Sequence, residues 1–322
     1  MDNHRKNVLI VGGAGYVGGA LTDLLARTNH NVRVYDSLLF EECYRKPVDF
    51  VFGDVRDRRL LLEHLQWADA VVWLAALVGD AACALNPEVT VEINQKSVEW
   101  LSDHFDGRIL FLSTCSVYGA QDGLLYETSS TAPLSVYAET KLQAEAHLAN
   151  KDAIIFRLGT LFGIGDLFSR VRLDLVVNIL TLKARLLGKV KVYGGDQYRP
   201  LLHVRDAALA IAQNLTTEHR GVYNLGAKNV RIVDLAERVR HFIPDVEIER
   251  VGTTFEDARN YRVSTEKSET VLGFVPECTV DEGIEEIRAL ADSGRLADVN
   301  NPRYSNKAFL FLHNNHIEPR RQ

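Results

Sequence analysis

Tyr137 and Lys141 stand four residues apart in VYAETKLQAE, a spacing that puts both on one face of a helix. A free phenol ionises near pH ~10. To take a proton near neutrality its pKa must fall by about 3 units, which costs about 4 kcal/mol. Nearby positive charge, a lysine ammonium first of all, can supply that. Upstream, an apolar run ends in STCSVYG, and its Thr114 precedes Tyr137 by 23 residues. A hydroxyl at the carboxyl end of a strand lies where an open α/β sheet places its chemistry. A Tyr-x-x-x-Lys pair alone is common on surface helices, so its weight comes from its surroundings.

The first of these is GGAGYVGG, between an apolar run and a helical pattern. Gly12, Gly15 and Gly18 are spaced G-x-x-G-x-x-G, and Gly13, Gly15 and Gly18 also fit G-x-G-x-x-G. Glycines permit the tight turn and let the backbone close on a pyrophosphate. The pyrophosphate then meets the N–H groups of the helix start, where Tyr16 and Val17 stand. Strand, glycine loop and helix in the first βα unit are the context of a dinucleotide site. Asp36 ends the second strand, in VRVYDSLL, where a carboxylate binds the adenosine ribose 2′-OH. A 2′-phosphate would want an arginine there. Ser37, Leu38 and Leu39 supply none, and Arg33 lies inside the strand. The expected cofactor is therefore NAD, whose nicotinamide ring adds positive charge near the tyrosine. Asp54, in GDVRD, is placed either to reach the adenine amino group, with Val55 against the ring, or to cap a helix.

These groups need a rigid frame. Short β-rich runs at Val8–Val11, Val32–Tyr35, Asp49–Phe52, Ala70–Leu74, Arg108–Leu112 and Ala153–Arg157 alternate with helical stretches. That order predicts an α/β fold, a Rossmann-type doubly wound parallel sheet covered on both faces. Beyond Gly163 the pattern changes. A Gly-rich, hairpin-like segment (VKVYGGDQYRP), a helix over Asp206–Leu215 and a strand near Val222–Leu225 follow. The division expected is an NAD-binding domain over 1–163, a smaller C-terminal substrate-binding domain over 164–295, and an extension over 296–322. Residues 200–225 are expected to pack back on the first domain. The extension carries one apolar patch, AFLFL, that either docks on the body or frays.

The 322 residues are 46% hydrophobic and 25% charged, with a net charge of -6. Nothing in that balance points to nucleic acid or a membrane surface as partner. Cys43, Cys83, Cys115 and Cys278 are too widely spaced for a zinc site or a disulfide framework, so a reducing cytoplasm is expected. The polar start MDNHRKN does not read as a signal peptide, so none is expected, and the longest apolar run, Ala70–Gly79, falls short of the ~20 residues a bilayer needs.

Taken in order, the glycine loop, GDVRD, LAAL, STCSVYG, the Tyr–Lys pair, FRLGTLFG, RPLLHVRDAA, VYNLG and LGFVP resemble the extended short-chain dehydrogenase/reductase family, in particular its nucleotide-sugar epimerases and dehydratases. The resemblance spans roughly residues 7–290. It implies that Tyr137 exchanges a proton with a sugar hydroxyl, that Lys141 holds the cofactor ribose and depresses the tyrosine pKa, and that Thr114 bonds the reacting sugar oxygen. Leu74, Ala75, Ala76 and Leu77 would lie beside the cofactor. Asn178 resembles the amide at the substrate diphosphate, Arg199 the arginine on the nucleotide phosphate, and Arg259 a second positive charge. The segment Gly188–Val192, before Tyr193, would border the nucleotide base. His203 and Asp206 read as helix-start structure. The family's dimer contact would fall on Asn94–His104 and Tyr137–Leu148, with Trp100, Leu101, Leu142 and Leu148 as apolar anchors. A homodimer acting on a nucleotide-diphosphate sugar is thus expected.

Departures narrow the reaction. The family's 4,6-dehydratases carry Asp-Glu after the Thr, and here Cys115 and Ser116 fill those slots. Dehydration would lack that acid–base pair. Cys115 is either an acid/base thiol or a small core residue. In GIGDLFSRVRLDLVVN the usual Gly-Pro is missing, and Arg172 and Asp174 have no standard counterparts. That segment resembles dehydrogenases that oxidise C4 of a nucleotide-activated heptose. The leading expectation is a nucleotide-sugar 4-epimerase, and the alternative a net C4 dehydrogenase or keto-sugar reductase.

Overall fold

The computed structural model describes residues 5–313, apart from 169, 253–258 and 297. Its first half alternates strand and helix: β1 (Asn7–Val11), α1 (Tyr16–Leu25), β2 (Asn31–Asp36), β3 (Asp49–Phe52), α2 (Arg58–Leu65), β4 (Ala70–Trp73), α3 (Asp80–Cys83), α4 (Pro87–Val91), α5 (Ser97–His104), β5 (Arg108–Thr114), β6 (Ala120–Leu125), α6 (Val136–Leu148) and β7 (Ala153–Leu158). Then come β8 (Thr160–Phe162), α7 (Val176–Leu187), β9 (Lys189–Tyr193), β10 (Tyr198–His203), α8 (Val204–Asn214), β11 (Gly221–Leu225), β12 (Lys228–Arg231), α9 (Ile232–Phe242), β13 (Glu247–Val251), β14 (Asn260–Val263), α10 (Glu266–Leu272), α11 (Val280–Asp292) and α12 (Asn306–Leu312).

The main sheet has seven strands in the order β3-β2-β1-β4-β5-β7-β11, all parallel. Alternate residues face opposite sides, as a period of two requires. Leu9, Val11, Val71, Trp73 and Phe111 pack with Leu61, Leu101 and Leu148, whereas Val8, Ile10, Val72 and Leu110 pack with Leu21, Leu25 and Ile211. The chain winds outward both ways from the β1–β4 junction. This leaves a crevice at the carboxyl ends of those strands. Residues 200–225 straddle both parts: α8 packs on the α1 face, and β11 completes the main sheet beside β7.

The second part gathers α7, α9 and α11 around Phe162, Val177, Leu180, Leu235 and Ile284. The expected hairpin at VKVYGGDQYRP does not form. β9 pairs in parallel with β13, and β10 pairs with β8 and β12. Gly194 and Gly195 both take positive φ, and the Gln197 side chain closes the turn by accepting from Gly195 N (2.8 Å) and donating to Tyr193 O (3.0 Å). The chain therefore turns out of one small sheet and into another. AFLFL docks: Phe309 tilts against Phe40 with ring centroids 5.1 Å apart, and Leu310 is buried in the main core. The remainder of the extension, 314–322, lies outside the described residues.

One buried ion pair clamps α6 to the sheet. Arg157 Nη2 on β7 lies 2.7 Å from Glu145 Oε2 on α6, with both side chains at most 7% exposed. Ser113 on β5 also donates to Glu145, while Arg157 Nη1 donates to Tyr118 Oη (3.0 Å) and Tyr118 to Asn224 Oδ1 of β11 (2.8 Å). Removing one partner strands the other charge in an apolar interior. Glu145→Ala should lower stability by about 3–5 kcal/mol in urea unfolding. The double variant Glu145→Leu with Arg157→Met should recover much of that loss; a double variant no better than the single one would show that the pair is not what matters.

Candidate functional site

A cavity of about 760 Å³ opens at the carboxyl ends of β1, β2, β4, β5 and β7 and reaches across to the second part. Gly12 turns the chain at the end of β1 with φ +85, and a Cβ there would stand 2.4 Å from the Ala75 amide nitrogen. Gly18 touches the Gly13 backbone, where a Cβ would come within 2.6 Å, so α1 starts hard against the loop. Gly15, Tyr16 and Val17 follow along the same cavity wall. Asp36 has its carboxylate fixed in advance, accepting from Ala14 N (3.0 Å) and Leu38 N (2.7 Å). Burial pushes its pKa up, against those two bonds. Asp54 also lines the cavity. Burial raises its pKa, but hydrogen bonds and charge from Arg56 outweigh this and hold it below the usual carboxylate range. Val55, Leu74, Ala75 and Ala76 complete this end. A backbone cradle that admits no side chain, beside a fixed carboxylate, fits a dinucleotide.

The loop after β4 is held by a helix irregularity. Residues Glu92–Lys96 form a π-helical turn between α4 and α5. It aims the buried Asn94 amide at Leu77, accepting from its N–H (2.8 Å) and donating to its carbonyl (2.9 Å).

The α6 helix begins at Ser135, whose hydroxyl accepts from Ala138 N (3.2 Å) and donates to Asp80 Oδ1 (2.8 Å). This cap places Tyr137 in the first turn and Lys141 one turn on, both facing the cavity beside Thr114 at the end of β5. Burial pushes the Tyr137 phenol up, Cys83 and Asp80 push the same way, and Thr114 and Arg172 oppose them. Without the nicotinamide charge that the sequence argument invokes, Tyr137 is thus held as a neutral phenol. Lys141 is 3% exposed, with Nζ 4.2 Å from the centroid of the Phe111 ring, and burial lowers its pKa to about 7.

The far wall carries the expected cations. Arg199 Nη1 donates to Tyr198 O (2.8 Å) and Arg259 O (2.5 Å). Arg259 Nη1 donates to Ser116 Oγ (3.0 Å) and pairs with Asp80 Oδ2 (3.2 Å). Asn178 is a correction. It is fully buried, accepts from Gly163 N (2.9 Å) and donates to Gly163 O (3.3 Å) and Arg172 O (2.8 Å). Its amide is spent on fixing the loop after β8 and is absent from the cavity lining. Gly188–Val192 is a second correction: most of it is strand β9, with Val190 and Val192 buried, away from the cavity. Cys115 is a core thiol that donates to Arg157 O (3.1 Å), and burial pushes its pKa up. His203 caps α8 and contacts Glu286 Oε2 (3.1 Å), and Asp206 accepts from Glu277 N and Cys278 N, both structural roles. Of the expected dimer anchors, Leu101 and Leu148 are buried in their own core. Sequence reasoning missed Asp80, Tyr261 and the segment Ser305–Lys307 as cavity residues. It flagged Arg172 and Asp174 only as departures.

The buried Lys141 makes a pH-dependent prediction. Its pKa falls from 10.5 to about 7 on folding, so between those values the unfolded chain holds a proton that the folded one lacks. Stability therefore rises with pH across that window, and the cost of burying Lys141 is greatest at and below pH ~7. In NAD-free protein Lys141→Met should stabilise by about 3 kcal/mol at pH ~7. The gain in melting temperature should shrink towards pH ~10. An equal gain at both ends would disprove the linkage.

The chain is 26% identical over 307 residues to UDP-glucuronic acid decarboxylase 6 of Arabidopsis thaliana, covering 87% of each chain. It is 26% identical over 322 residues to the UDP-glucose 4-epimerase of Streptococcus mutans, covering 88% of this chain and 95% of that one. The structure of Thermus thermophilus UDP-glucose 4-epimerase in complex with NAD shares the fold, with TM-score 0.76 and 22% identity over 88% of this chain and 98% of that one. Relatives of one fold thus carry different activities. What unites them is a sequence model that matches residues 8–226 here, well over half of the chain, and by it this protein belongs to the NAD dependent epimerase/dehydratase family.

Proposed function

We propose that this protein is a nucleotide-sugar 4-epimerase that oxidises C4 of its substrate transiently to a 4-keto sugar. The observation that carries this reading is the gathering of Tyr137, Lys141 and Thr114 in one cavity whose far wall holds Arg199 and Arg259. NAD, when bound, accepts a hydride from the sugar carbon and can return it. The rest falls to the chain. Gly12, Gly15, Tyr16 and Val17 hold the pyrophosphate at the α1 N-terminus. Asp36 binds the adenosine ribose, and Asp54 and Val55 lie at the adenine. Lys141 holds the nicotinamide ribose. Tyr137 takes the C4 hydroxyl proton and later gives it back, while Thr114 steadies the same oxygen. Arg199 and Arg259 bind the diphosphate. Arg259 already pairs with Asp80, so a bound diphosphate competes with that carboxylate for it.

Two observations weigh against dehydration. Ser116 supplies a hydroxyl where dehydratases have a carboxylate, and Cys115 points into the core. The alternative, net C4 oxidation or keto-sugar reduction, draws on the Arg172–Asp174 pair in the cavity wall. We further infer a cytoplasmic homodimer joined through α5 and α6, with Trp100 and Leu142 as the half-buried apolar residues left to meet a partner. No helix among the described residues is long and apolar enough to cross a membrane.

The test is incubation with UDP-glucose, UDP-glucuronic acid and dTDP-glucose in deuterated water, following NADH absorbance and the sugar spectrum together. An epimer that keeps its C4 hydrogen, with no NADH accumulating, is the expected result. Stoichiometric NADH, or a 4-keto sugar free in solution, would establish the dehydrogenase reading instead. Tyr137→Phe should cut turnover by about 100-fold or more while NAD still binds.

A further inference from the structure

The loops after β2 and β4 stand on opposite sides of the glycine loop, because β1 lies between β2 and β4 in the sheet. A dinucleotide held at the α1 N-terminus, with Asp36 on its adenosine ribose, runs from one of these loops towards the other. In this chain the two loops are joined across the cavity. The join is made by the loop between β8 and α7 together with residues 302–312, which lie beyond the residues 8–226 that carry the family match.

On the β2 side Glu41 accepts from Arg170 N (2.8 Å), and the Arg170 guanidinium lies 4.0 Å from the centroid of the Phe40 ring. Phe40 also meets Phe309 of α12, and Arg303 reaches Glu42 at 2.8 Å and Glu41 at 3.6 Å. Further along, Lys46, whose side chain is 5% exposed, pairs with Asp166 (2.5 Å). On the β4 side Asn306, 3% exposed, donates from Nδ2 to Val78 O (2.8 Å). Between the two sides Arg170 Nη1 donates to Arg303 O (2.8 Å) and its Nη2 to Asn306 Oδ1. Leu173 N donates to Tyr304 O (2.8 Å), and Asn306 N to Asp174 Oδ2 (2.9 Å). Phe40, Glu41, Val78, Arg170, Asp174 and Asn306 all line the cavity, so the join is itself a wall of the site. Tyr16 Oη at the start of α1 donates to Gly163 O, which sets the loop after β8 against the glycine loop as well.

We propose that these two segments form a bridge over the NAD pyrophosphate, that the cofactor stays beneath it through turnover, and that it enters or leaves only when the bridge opens. This rests on NAD lying along the glycine loop and Asp36, and not on which sugar is the substrate. Opening must break the Asn306–Val78 bond or the contacts of Arg170, Arg303 and Phe309 with the loop after β2. Unpairing a buried amide such as that of Asn306 is costly, so the β4 end is the firmer one. Retention suits a reaction that returns its hydride to the sugar, because the bridge then never has to open between the two half-reactions.

The experiment uses protein loaded with NADH, whose fluorescence reports binding and needs no turnover. Dissociation is followed while excess NAD displaces it, and affinity is measured by competition between the two. The association rate constant is then the dissociation rate divided by Kd. In the unmodified protein it should lie below about 10⁵ M⁻¹ s⁻¹, slower than docking onto an open site. Asn306→Ala should speed dissociation and association together by about 10-fold, so that affinity changes little. Arg303→Ala should act in the same direction by less. A residue that only touches the cofactor would speed dissociation alone and weaken affinity to match, the pattern expected of Asp36→Ala. Melting temperature reports folding; if Asn306→Ala does not fold, Arg303→Ala and Phe309→Leu carry the comparison. Fast association in the unmodified protein, both rates unmoved in the bridge variants, or faster dissociation there with association unchanged overturns the bridge. Unaltered affinity in Asp36→Ala would instead show that NAD lies elsewhere, and the proposal falls with that placement.

Discussion

The geometry of the site depends on the ion pair between Glu145 and Arg157. The residues assigned to proton transfer sit on two elements that share no backbone hydrogen bond: Thr114 ends β5, and Tyr137 and Lys141 lie on α6. Glu145, one turn beyond Lys141, is the point at which that helix is fastened. It takes Ser113, next to Thr114 in sequence, and Arg157 from the neighbouring strand. Arg157 passes the constraint through Tyr118 to Asn224 at the sheet's edge. A buried pair of this kind gains little net stability over apolar side chains of similar size. Its contribution here is directional, because a planar fork against a carboxylate fixes rotation as well as distance.

Within that frame the cavity carries charges under tension. Burial pushes Tyr137 up and Lys141 down, so without a ligand both favour their neutral forms. Opposite them Arg259 is satisfied by Asp80, and Arg172 by Asp174. The resting site is therefore close to internally neutralised. A dinucleotide with a positive ring and a substrate with a diphosphate each disturb a balance that the protein has already struck.

Much of this was legible in the sequence. The main-sheet strands announce themselves by apolar runs, and the glycine loop, Asp36, Thr114, Tyr137 and Lys141 by local spacing, since each depends on a single turn or strand end. What was not legible depends on distant pairing. Whether β9 joins β10 or β13 is decided by segments more than fifty residues apart. Asn178 looks like a ligand amide in its motif, and only the path of the loop after β8 shows its hydrogen bonds to be spent. Asp80 follows LAALVG with no periodic signal, and becomes a cavity carboxylate because Ser135 and Arg259 arrive from elsewhere. Leu101 and Leu148 read as anchors of a dimer contact, and packing puts both in the protein's own core.

The π-helical turn at Glu92–Lys96 bears on how this chain can vary. Such a turn holds one residue more than regular helical pitch allows, and here the surplus aims Asn94 at both polar groups of Leu77. Losing Glu92 from the turn would restore regular pitch and swing Asn94 about 100° around the helix axis. Leu77 would then have neither partner, although every residue bordering the cavity was still present. Substitutions in this stretch keep the reading frame of the helix, whereas insertions and deletions do not. Its length is thus constrained more tightly than its composition, the reverse of what an outer helix normally shows.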